Sequence, residues 1–299
     1  MLIDLPLART KLDRAAHLRS DAAALEEMWS RAKIIELIGD RFLTSGKALE
    51  YVASSTSGER YFLGLDERGT PFFVAHRRAE NVEYPAEFQT LRAMGKLLDE
   101  LQIGAAVHAL ALAQWHDAHS RCAKCGGETR SILGGAVREC GSCAAQHHPR
   151  TDPAVIVLVK DAKDRILLGR QKVWPAKRFS TFAGFVEPGE SFENCVLREV
   201  REECGGEVAS MNYLGSQPWP FPASIMIAYE AEISNPDDVK EDGEEIEEIV
   251  WLTREELKKN VASGDLLLPP AISVARAMIN SWYGADALKE LQGGESWRN

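Results

Sequence analysis

A strand, a turn and an acidic helix follow one another within residues 182–206, and this segment constrains the fold more than any other part of the chain. The apolar run Phe182–Val186 has the character of a buried strand, and a Pro-Gly pair then turns the chain. Ser191 is a suitable N-cap, and Gly205 begins a strong helix stop. The segment therefore predicts a strand–loop–helix unit with about three and a half helical turns.

The predicted helix carries three carboxylates on one face. At 100° per residue, Glu199, Glu202 and Glu203 fall within an arc of about 100°. Carboxylates so close repel one another at neutral pH, and a hard divalent cation with oxygen ligands, such as Mg²⁺ or Mn²⁺, relieves the repulsion. A solvated acidic helix face without metal is the simpler alternative for an isolated pair of glutamates.

The spacing around this helix resembles the Nudix box, the signature of hydrolases that cleave nucleoside diphosphates linked to another group. The family's last motif position is usually apolar and is here Gly206, a departure that affects packing after the helix and leaves the acidic cluster intact. Glu190 and Arg198 are expected to form an orienting pair between the loop and the helix. The residues that carry the resemblance read Gly184-x5-Glu190-x7-Arg198-Glu199-Val200-Arg201-Glu202-Glu203-Cys204-Gly205.

Four of the six cysteines form two pairs, each with two residues between its members. Such spacing predicts a tetrahedral zinc site with one pair on each of two knuckles. Two structural disulfides are the alternative, which a reducing cytoplasm disfavours. Four thiolates leave no open coordination position, so the expected ion is structural, one per chain. The expected ligands are Cys122, Cys125, Cys140 and Cys143, whereas Cys195 and Cys204 on the acidic helix are expected to pack rather than react.

Residues 216–222 have an unusual composition, in which three prolines alternate with Trp219 and Phe221. Prolines stiffen the backbone in an extended form, so the two aromatic rings are held in place before any ligand arrives. A planar base or a nicotinamide ring fits such a surface. A rigid surface loop whose aromatic rings only cap the core fits these residues equally well.

Taken together, these elements resemble the NADH pyrophosphatases of the Nudix superfamily. The resemblance rests on the four-cysteine ribbon, the box, and the stretch Gln217-Pro218-Trp219-Pro220-Phe221-Pro222-x-Ser224, and it covers about Cys122 to Trp282. It implies hydrolysis of the pyrophosphate of NADH, and of NAD, to nicotinamide mononucleotide and AMP, usually by a homodimer. Some members also remove NAD caps from RNA 5′ ends.

The resemblance also implies which residues form the site. Two or three Mg²⁺ or Mn²⁺ ions would bind Glu199, Glu202 and Glu203, with Glu245 before the last strand as a further ligand or base. His148 stands where the family commonly has Tyr before Pro, which puts the substrate contact at that position in question. The remaining implied substrate contacts are Ala183, Gln217, Pro218, Trp219, Pro220, Phe221, Pro222, Ala223, Ser224 and Ala275.

Two assignments stay open at this stage. Either Glu202 or Glu245 is the carboxylate that accepts a proton from the attacking water, since the sequence does not choose between them. The strand and loop before Gly184 carry four basic side chains that either contact phosphates or form a solvated basic loop. These four are Arg170, Lys172, Lys177 and Arg178.

Composition limits the class of protein. The 299 residues contain 35 Lys and Arg against 45 Asp and Glu, a net charge of −10, which argues against a general nucleic-acid binder. Handling of one phosphorylated RNA end remains compatible with this charge. The apolar stretch 104–115 is too short to span a membrane, and the N-terminus lacks a continuous apolar signal core, so a cytoplasmic protein is expected.

The pattern along the chain predicts an α+β fold in three parts. These are an N-terminal α+β domain over 1–120, a zinc ribbon over 121–148, and a mixed-sheet α/β/α Nudix domain over 149–299. Helices are expected over 23–38, 87–101, 105–119, 254–260 and 271–282, without internal repeats and with a frayed tail beyond Gly293. Strands are expected at 48–53, 61–65, 71–74, 154–160, 165–170, 182–186, 213–217, 224–231 and 247–252.

Three functions are compatible with these features. The first is a dinucleotide pyrophosphatase acting on free NADH, and the second is an RNA end-processing enzyme that removes NAD caps with the same residues. The third is a non-catalytic Nudix sensor or a zinc-ribbon binding module, which would not need the intact acidic triad. The net charge favours the small molecule over RNA, although both activities are compatible with one site.

Overall fold

The computed structural model describes residues 3–79 and 83–292, which form two compact units. The N-terminal unit takes residues 7–151 and 218–223, and the C-terminal unit takes the described residues of 1–6, 152–217 and 224–299. Neither unit is one continuous stretch, because the chain passes between them after residues 6, 151, 217 and 223. Within the described residues no helix combines the length and apolar character needed to cross a membrane.

The N-terminal unit contains a mixed sheet, a long helix and a small three-stranded sheet that carries the four cysteines. The long helix is buried along most of its length. Its elements are α1 (Ala22–Ser30), β1 (Lys33–Ile38), β2 (Arg41–Ser45), β3 (Ala48–Leu49), β4 (Tyr51–Val52), β5 (Glu59–Leu65), β6 (Pro71–Arg77), β7 (Phe88–Thr90), α2 (Leu91–Met94), α3 (Glu100–Ala118), β8 (Thr129–Ile132), β9 (Val137–Cys140) and β10 (Gln146–His147).

The C-terminal unit is a six-stranded mixed sheet with helices on both faces. The strand of the predicted strand–loop–helix segment pairs with a central strand of this sheet. Its elements are β11 (Asp152–Lys160), β12 (Ile166–Gln171), β13 (Phe182–Phe185), α4 (Phe192–Cys204), β14 (Val208–Trp219), β15 (Ser224–Ile233), β16 (Ile246–Leu252), α5 (Arg254–Ser263), α6 (Val274–Tyr283) and α7 (Ala287–Glu290).

Strand β11 explains the three layers of the C-terminal unit. Its side chains alternate between faces, and both faces are buried. Val155 and Val157 join the apolar cluster that contains Val196 and Val200 of α4. On the other face, Ile156 packs in the cluster formed by α5 and α6. The apolar run of this strand therefore places the acidic helix on one face of the sheet, as the α/β/α prediction requires.

The two large sheets share one pairing pattern. Strand β1 is antiparallel to β2 and β4 and parallel to β6, while β11 is antiparallel to β12 and β13 and parallel to β15. Strand β2 pairs with β7 as β12 pairs with β16. The units differ after β4 and β13, because residues 53–58 link β4 to β5 where the C-terminal unit has helix α4. No internal repeat was expected from the sequence, but the two sheets repeat the same pattern of strand pairing.

Two predicted helices are wrong in part. Over 23–38 only Ala22–Ser30 is helical, because the following Lys33–Ile38 is a central strand whose burial on both faces removes the alternation that marks a strand. Over 87–101 the chain forms β7 and the short α2, and α3 then begins at Glu100. The side chains of Thr90 and Asp99 each accept a hydrogen bond that starts a new helix.

The predicted strand 48–53 is divided into β3, which pairs with β2, and β4, which pairs with β1. The remaining predicted elements are present with shifted ends. Strand β2 and strand β7 were not predicted, and the predicted strand 213–217 extends from Val208 to Trp219. The expected frayed tail beyond Gly293 lies outside the described residues.

Candidate active site

Both ends of helix α4 are set by the residues that the sequence singled out. Ser191 Oγ accepts a hydrogen bond from the backbone N–H of Asn194 at 3.2 Å. Gly205 ends the helix in a left-handed conformation with φ 67°, which glycine adopts without the steric cost of a Cβ. Gly206 follows in a position where a Cβ would lie 2.8 Å from Val200 Cγ1. Neighbouring side chains fill this space, so a larger residue at this position would require them to move.

Gly184 is required by the carboxylate of Glu199. A Cβ on Gly184 would overlap the carboxylate of Glu199, so any side chain here would displace the end of the glutamate. Glu199 is 8% exposed. Burial raises the pKa of this carboxyl, and the guanidinium of Arg198 opposes the increase. The glycine of the motif thus makes room for a buried acid against strand β13.

Glu203 is the most deeply buried acid of the site, with 3% of its surface exposed. Its Oε2 accepts a hydrogen bond from the backbone N–H of Ala183 at 3.2 Å. Burial, together with the charges of Glu245 and Glu199, raises the pKa of Glu203 to about 9. The carboxyl therefore holds a proton at neutral pH until a cation compensates its charge.

Arg198 ties the acidic helix to the loop before it. Its Nε and Nη2 donate to the two oxygens of Glu190, both at 2.9 Å, which confirms the predicted pair. The same Nη2 donates to the carbonyl of Phe185 at 3.0 Å, and Nη1 donates to Glu199 at 2.6 Å and Glu202 at 3.0 Å. The bidentate contact lowers the pKa of Glu190 to about 2. One guanidinium thus orients both the loop and two carboxylates of the helix.

Glu245 faces the same site from a turn before β16. The carboxylate of Asp242 accepts the N–H groups of Glu244, Glu245 and Ile246, which fixes this turn. Glu245 Oε1 accepts from Gln171 Nε2 at 2.6 Å, and its charge raises the pKa of Glu199 and Glu203. Carboxylate oxygens are the ligands that a hard divalent cation prefers, and two of these acids are buried with raised pKa. Among the described residues, however, only the four cysteines of the ribbon bring three or more ligand atoms within 4.8 Å of one another.

Two of the four basic residues before Gly184 are already paired with carboxylates. Arg170 contacts Glu247 at 2.8 Å and Glu248 at 3.1 Å. Lys177 contacts Asp265 at 3.0 Å. Lys172 is exposed and Arg178 is half-buried. The loop is therefore not a uniform phosphate-binding surface, and a role in catalysis for these four residues stays a prediction.

The aromatic rings of the proline-rich segment lie in the N-terminal unit. The backbone is extended only as far as Trp219, and residues 220–223 form a turn. The rings of Trp219 and Phe221 meet edge to face at 4.8 Å. The guanidinium of Arg92 lies over both rings, 3.9 Å from the centre of Phe221 and 5.0 Å from that of Trp219. A cavity of about 580 Å³ beside them is lined by Asp40, Arg92, Gln114, Asp117, Ala118, Phe221 and Pro222.

Two of the predicted substrate contacts, Gln217 and Ala275, are buried in the C-terminal unit. Gln217 is fully buried and its Nε2 donates to the carbonyl of Ile272 at 3.0 Å, which fixes the segment before α6. Ala275 on α6 is 3% exposed. Ala183 is half-buried on β13, and Ser224 lies opposite Asp152 in the sheet. Their contact with substrate stays a prediction, whereas the support that Gln217 gives to α6 is visible in the structure.

The four cysteines of the ribbon form one cluster, whose Sγ atoms all lie within 4.8 Å of one another. Three Sγ–Sγ distances are 3.4, 3.5 and 3.7 Å, too long for disulfides, which need about 2.05 Å. A tetrahedron with Zn–S bonds of about 2.3 Å places its sulfurs about 3.8 Å apart. The cluster therefore fits a zinc ion and does not support the two-disulfide alternative.

The two knuckles have the same geometry. Lys124 N donates to Cys122 Sγ and Ser142 N to Cys140 Sγ, each at 3.4 Å. The first knuckle uses Gly126 at φ 76° in its left-handed position, whereas the second uses Ala144 at φ 55°. The two loops therefore present equivalent backbone N–H donors, each to the first cysteine sulfur of its knuckle.

Two residues near these features were missed by the sequence reasoning. His147 Nε2 lies 3.2 Å from Cys122 Sγ, while the neighbouring His148 is exposed. The place of this histidine just after the second cysteine pair could have indicated the contact between His147 and Cys122. Arg92 is far from Trp219 in sequence, so no spacing could have indicated its position over the aromatic rings.

Comparison with known families identifies both units. The profile described as "NUDIX domain" matches residues 150–269. The profile described as "NADH pyrophosphatase-like rudimentary NUDIX domain" matches residues 13–115. The second description agrees with the shared strand pairing of the two sheets and with the loop that stands in place of α4.

Curated relatives match almost the whole chain. A protein of Mycobacterium bovis named "NAD-capped RNA hydrolase NudC" is 39% identical over 300 residues, covering 94% of this chain and 95% of the relative. A Mycobacterium tuberculosis protein with the same name matches with the same identity and coverage. A human protein named "NAD-capped RNA hydrolase NUDT12" is 36% identical over 197 residues, covering 62% of this chain and 42% of the relative.

Proposed function

Because the chain belongs to the Nudix hydrolases that carry an NADH pyrophosphatase-like rudimentary Nudix domain, we propose that it hydrolyses the pyrophosphate bond of NADH and NAD. The products are AMP with reduced nicotinamide mononucleotide from NADH, and AMP with nicotinamide mononucleotide from NAD. The observation that carries this proposal is the buried pair Glu199 and Glu203, held against Gly184 and Ala183 of β13. A non-catalytic sensor would have no need of two buried acids, whose desolvation is costly without a cation.

Different residues of the C-terminal unit have different proposed roles in the reaction. Glu199, Glu202, Glu203 and Glu245 would hold two or three Mg²⁺ or Mn²⁺ ions, which when bound neutralise phosphate charge and lower the pKa of water. Arg198 orients the helix through Glu190. The water oxygen bonds to phosphorus, the bridging phosphoanhydride bond breaks, and the displaced phosphate leaves. The proton of the water passes to Glu202 or Glu245, the two exposed carboxylates of the site.

Substitution separates the two candidates for the proton acceptor. Glu202→Gln and Glu245→Gln each remove one acceptor and keep the size of the side chain. Loss of the base should remove the acidic limb of the pH dependence of kcat, whereas loss of a ligand alone should raise the metal concentration needed for half-maximal rate. A variant with an unchanged pH profile is not the base.

Substrate binding is proposed to use the segment Gln217–Ser224 together with Ala183, Ala275 and His148. The edge-to-face rings of Trp219 and Phe221 support this role, because they form a rigid aromatic surface beside a cavity in the N-terminal unit. Aromatic faces stack on bases and on nicotinamide with little sequence preference.

NAD-capped RNA is the second candidate substrate, because the relatives that match the whole chain are named NAD-capped RNA hydrolases. Removal of the cap breaks the same pyrophosphate bond with the same acids. The net charge of −10 provides little general attraction for an RNA body, so recognition of RNA would concentrate on the capped end.

A turnover panel tests the proposal and ranks the substrates. Wild-type protein with Mg²⁺ or Mn²⁺ is assayed on NADH, NAD⁺, ADP-ribose and NAD-capped RNA, with Glu203→Gln as the matched inactive control. The proposal expects reduced nicotinamide mononucleotide from NADH, and nicotinamide mononucleotide from NAD⁺ and from NAD-capped RNA. Absence of pyrophosphate cleavage on all four, with folded metal-loaded protein, would refute it.

Four further assignments complete the proposal. We infer one structural zinc ion per chain on the ribbon, a homodimer, a cytoplasmic location and a division of roles among residues 1–120, 121–148 and 149–299. Metal analysis, sedimentation equilibrium and cell fractionation test the first three. Separate assays of zinc loss, substrate affinity and turnover on variants of each segment test the fourth.

A further inference from the structure

We propose that His147 is an outer hydrogen-bond donor of the ribbon's metal site, which holds Cys122 and, through strand β10, fixes the position of His148. The four-cysteine spacing does not assign any role to this histidine. Its Nε2 lies 3.2 Å from Cys122 Sγ, and Cys122 is one of the two buried cysteines of the cluster.

The strand that carries His147 is fixed from the neighbouring strand. His147 lies opposite Arg138 in the β9–β10 pair, so both side chains project from the same face. Arg138 is 5% exposed and donates to Thr129 Oγ1 at 2.7 Å and to the carbonyl of Thr129 at 2.7 Å. His147 therefore approaches the cluster from a well-anchored sheet and not from a free loop.

The chemistry of the cluster makes His147 Nε2 the donor. A cysteine that binds zinc is a thiolate and has no proton to give, so the imidazole must provide the N–H. Four thiolates outweigh the charge of one zinc ion, and a buried excess of negative charge needs hydrogen-bond donors. Lys124 N donates to Cys122 Sγ and Ser142 N to Cys140 Sγ, and His147 Nε2 is a further donor to Cys122.

This contact has a consequence for the next residue. His148 directly follows the last residue of β10 and is exposed, so holding His147 against Cys122 also fixes the backbone from which His148 projects. His148 is the residue to which the proposed function gives a substrate contact. The ribbon metal thus positions a substrate contact through His147, and this second step rests on the proposed function.

Zinc release tests the donor role without any assay of activity. Full-length zinc-loaded His147→Phe and His147→Gln are mixed with a chromogenic chelator, and the rate of zinc release is compared with wild type. Removing an outer hydrogen bond typically costs 10- to 100-fold in metal affinity, so His147→Phe should release zinc about 10-fold faster. His147→Gln, whose amide N–H can replace Nε2–H, should stay close to wild type, and His148→Phe is the neighbouring control.

The results of these experiments test the donor role of His147 and its link to His148 separately. Wild-type release by His147→Phe, or equally fast release by the Phe and Gln variants, would overturn the donor role. Should His147→Phe fail to fold by circular dichroism, His147→Ala takes its place with the same expectation. A raised KM for NADH with little change in kcat in His147→Phe, restored in His147→Gln, supports the link to His148, and an unchanged KM overturns it. Zinc release is independent of turnover, so it remains decisive even where the proposed function fails.

Discussion

The protonation state of the Glu203 side chain affects both the stability of the fold and the proposed binding of metal. Its pKa in the metal-free protein is about 9, whereas a glutamate in an unfolded chain titrates near about 4.3. Between these values the folded state holds a proton that the unfolded state has lost. The stability that this proton contributes is therefore lost as pH rises towards 9.

We predict that the melting temperature of the metal-free protein falls between pH 7 and 9, and that Glu203→Gln reduces this dependence because it cannot titrate. The same variant should lose turnover by on the order of 10²-fold or more, the usual scale for a key electrostatic group. Thermal melts in chelator and steady-state rates at saturating Mg²⁺ are the measurements. Wild-type-like turnover of a folded Glu203→Gln would remove Glu203 from the catalytic group.

Gly184→Ala should damage the site through Glu199. The added Cβ would occupy the space of the Glu199 carboxylate, so either the glutamate or strand β13 must move. Overpacking of this kind costs roughly 1–3 kcal/mol of stability, and we expect loss of turnover. Chemical denaturation measures the first effect. The double variant Gly184→Ala with Glu199→Asp, whose shorter side chain relieves the contact, should regain stability without regaining activity.

At the scale of elements, the sequence predicted what depends on neighbours along the chain. Helix α4 was found from Ser191, Gly205 and the acidic face, all within one short segment, and the cysteine knuckles from their spacing. The position of Arg92 depends on how distant segments pack, which spacing does not encode, whereas His147 lies so close after the second cysteine pair that its place in the sequence could have indicated its contact with the cluster. Glu245 was located through the family resemblance, since four glutamates crowd that turn.

The segment 218–223 provides a prediction for substrate preference. Trp219→Ala should raise KM for NADH more than for ADP-ribose, which shares the pyrophosphate and adenosine but lacks nicotinamide. Losing one stacking partner costs roughly 1–3 kcal/mol when nicotinamide behaves as a base on an aromatic ring. Steady-state kinetics on both substrates decide the question. Equal losses on the two would show that the ring supports the fold and does not contact nicotinamide.

Helix α3 makes the N-terminal unit sensitive to acid through His116. This ring stacks on Tyr61 at 4.0 Å, its Nε2–H donates to the carbonyl of Gly135 at 2.8 Å, and its Nδ1 accepts from Arg138 at 2.7 Å. Burial, with the charge of Arg138, lowers the pKa of His116 to about 4. The neutral ring is therefore the form that the folded unit requires.

We predict that stability falls as pH decreases from about 6.5 to 4. The unfolded histidine gains its proton near about 6.5 and the folded one only near 4, a difference on the order of 3 kcal/mol. Denaturant melts across this range measure the slope. His116→Gln, which cannot be protonated, should show a shallower slope, and an unchanged slope would assign the acid sensitivity to other groups.

At the scale of the whole molecule, each unit is completed by a segment from elsewhere in the chain. Ile3 N donates to the carbonyl of Leu214 at 2.9 Å, and Leu5 is buried in the core of the C-terminal unit. A fragment that begins at residue 149 lacks both contacts. Leu7, two residues later, is buried in the N-terminal unit.

Leu5→Ala and Leu7→Ala are matched variants on either side of residue 6, after which the chain passes from the C-terminal unit to the N-terminal unit. Each should cost about 2–5 kcal/mol, but in different units, because one buried leucine is removed from each core. Limited proteolysis with mass spectrometry should show earlier cleavage in 152–217 for Leu5→Ala and in 7–151 for Leu7→Ala. Identical cleavage patterns would mean that the two units unfold as one.

The loop at residues 53–58 also bears on the history of the chain. Two sheets with one pairing pattern, of which only one keeps the helix of the acidic motif, are what duplication of an ancestral gene segment followed by loss of that helix would leave. The first copy is then free of selection for metal ligands and can diverge at positions that remain constrained in the second. The absence of a visible sequence repeat is the expected trace of this unequal selection.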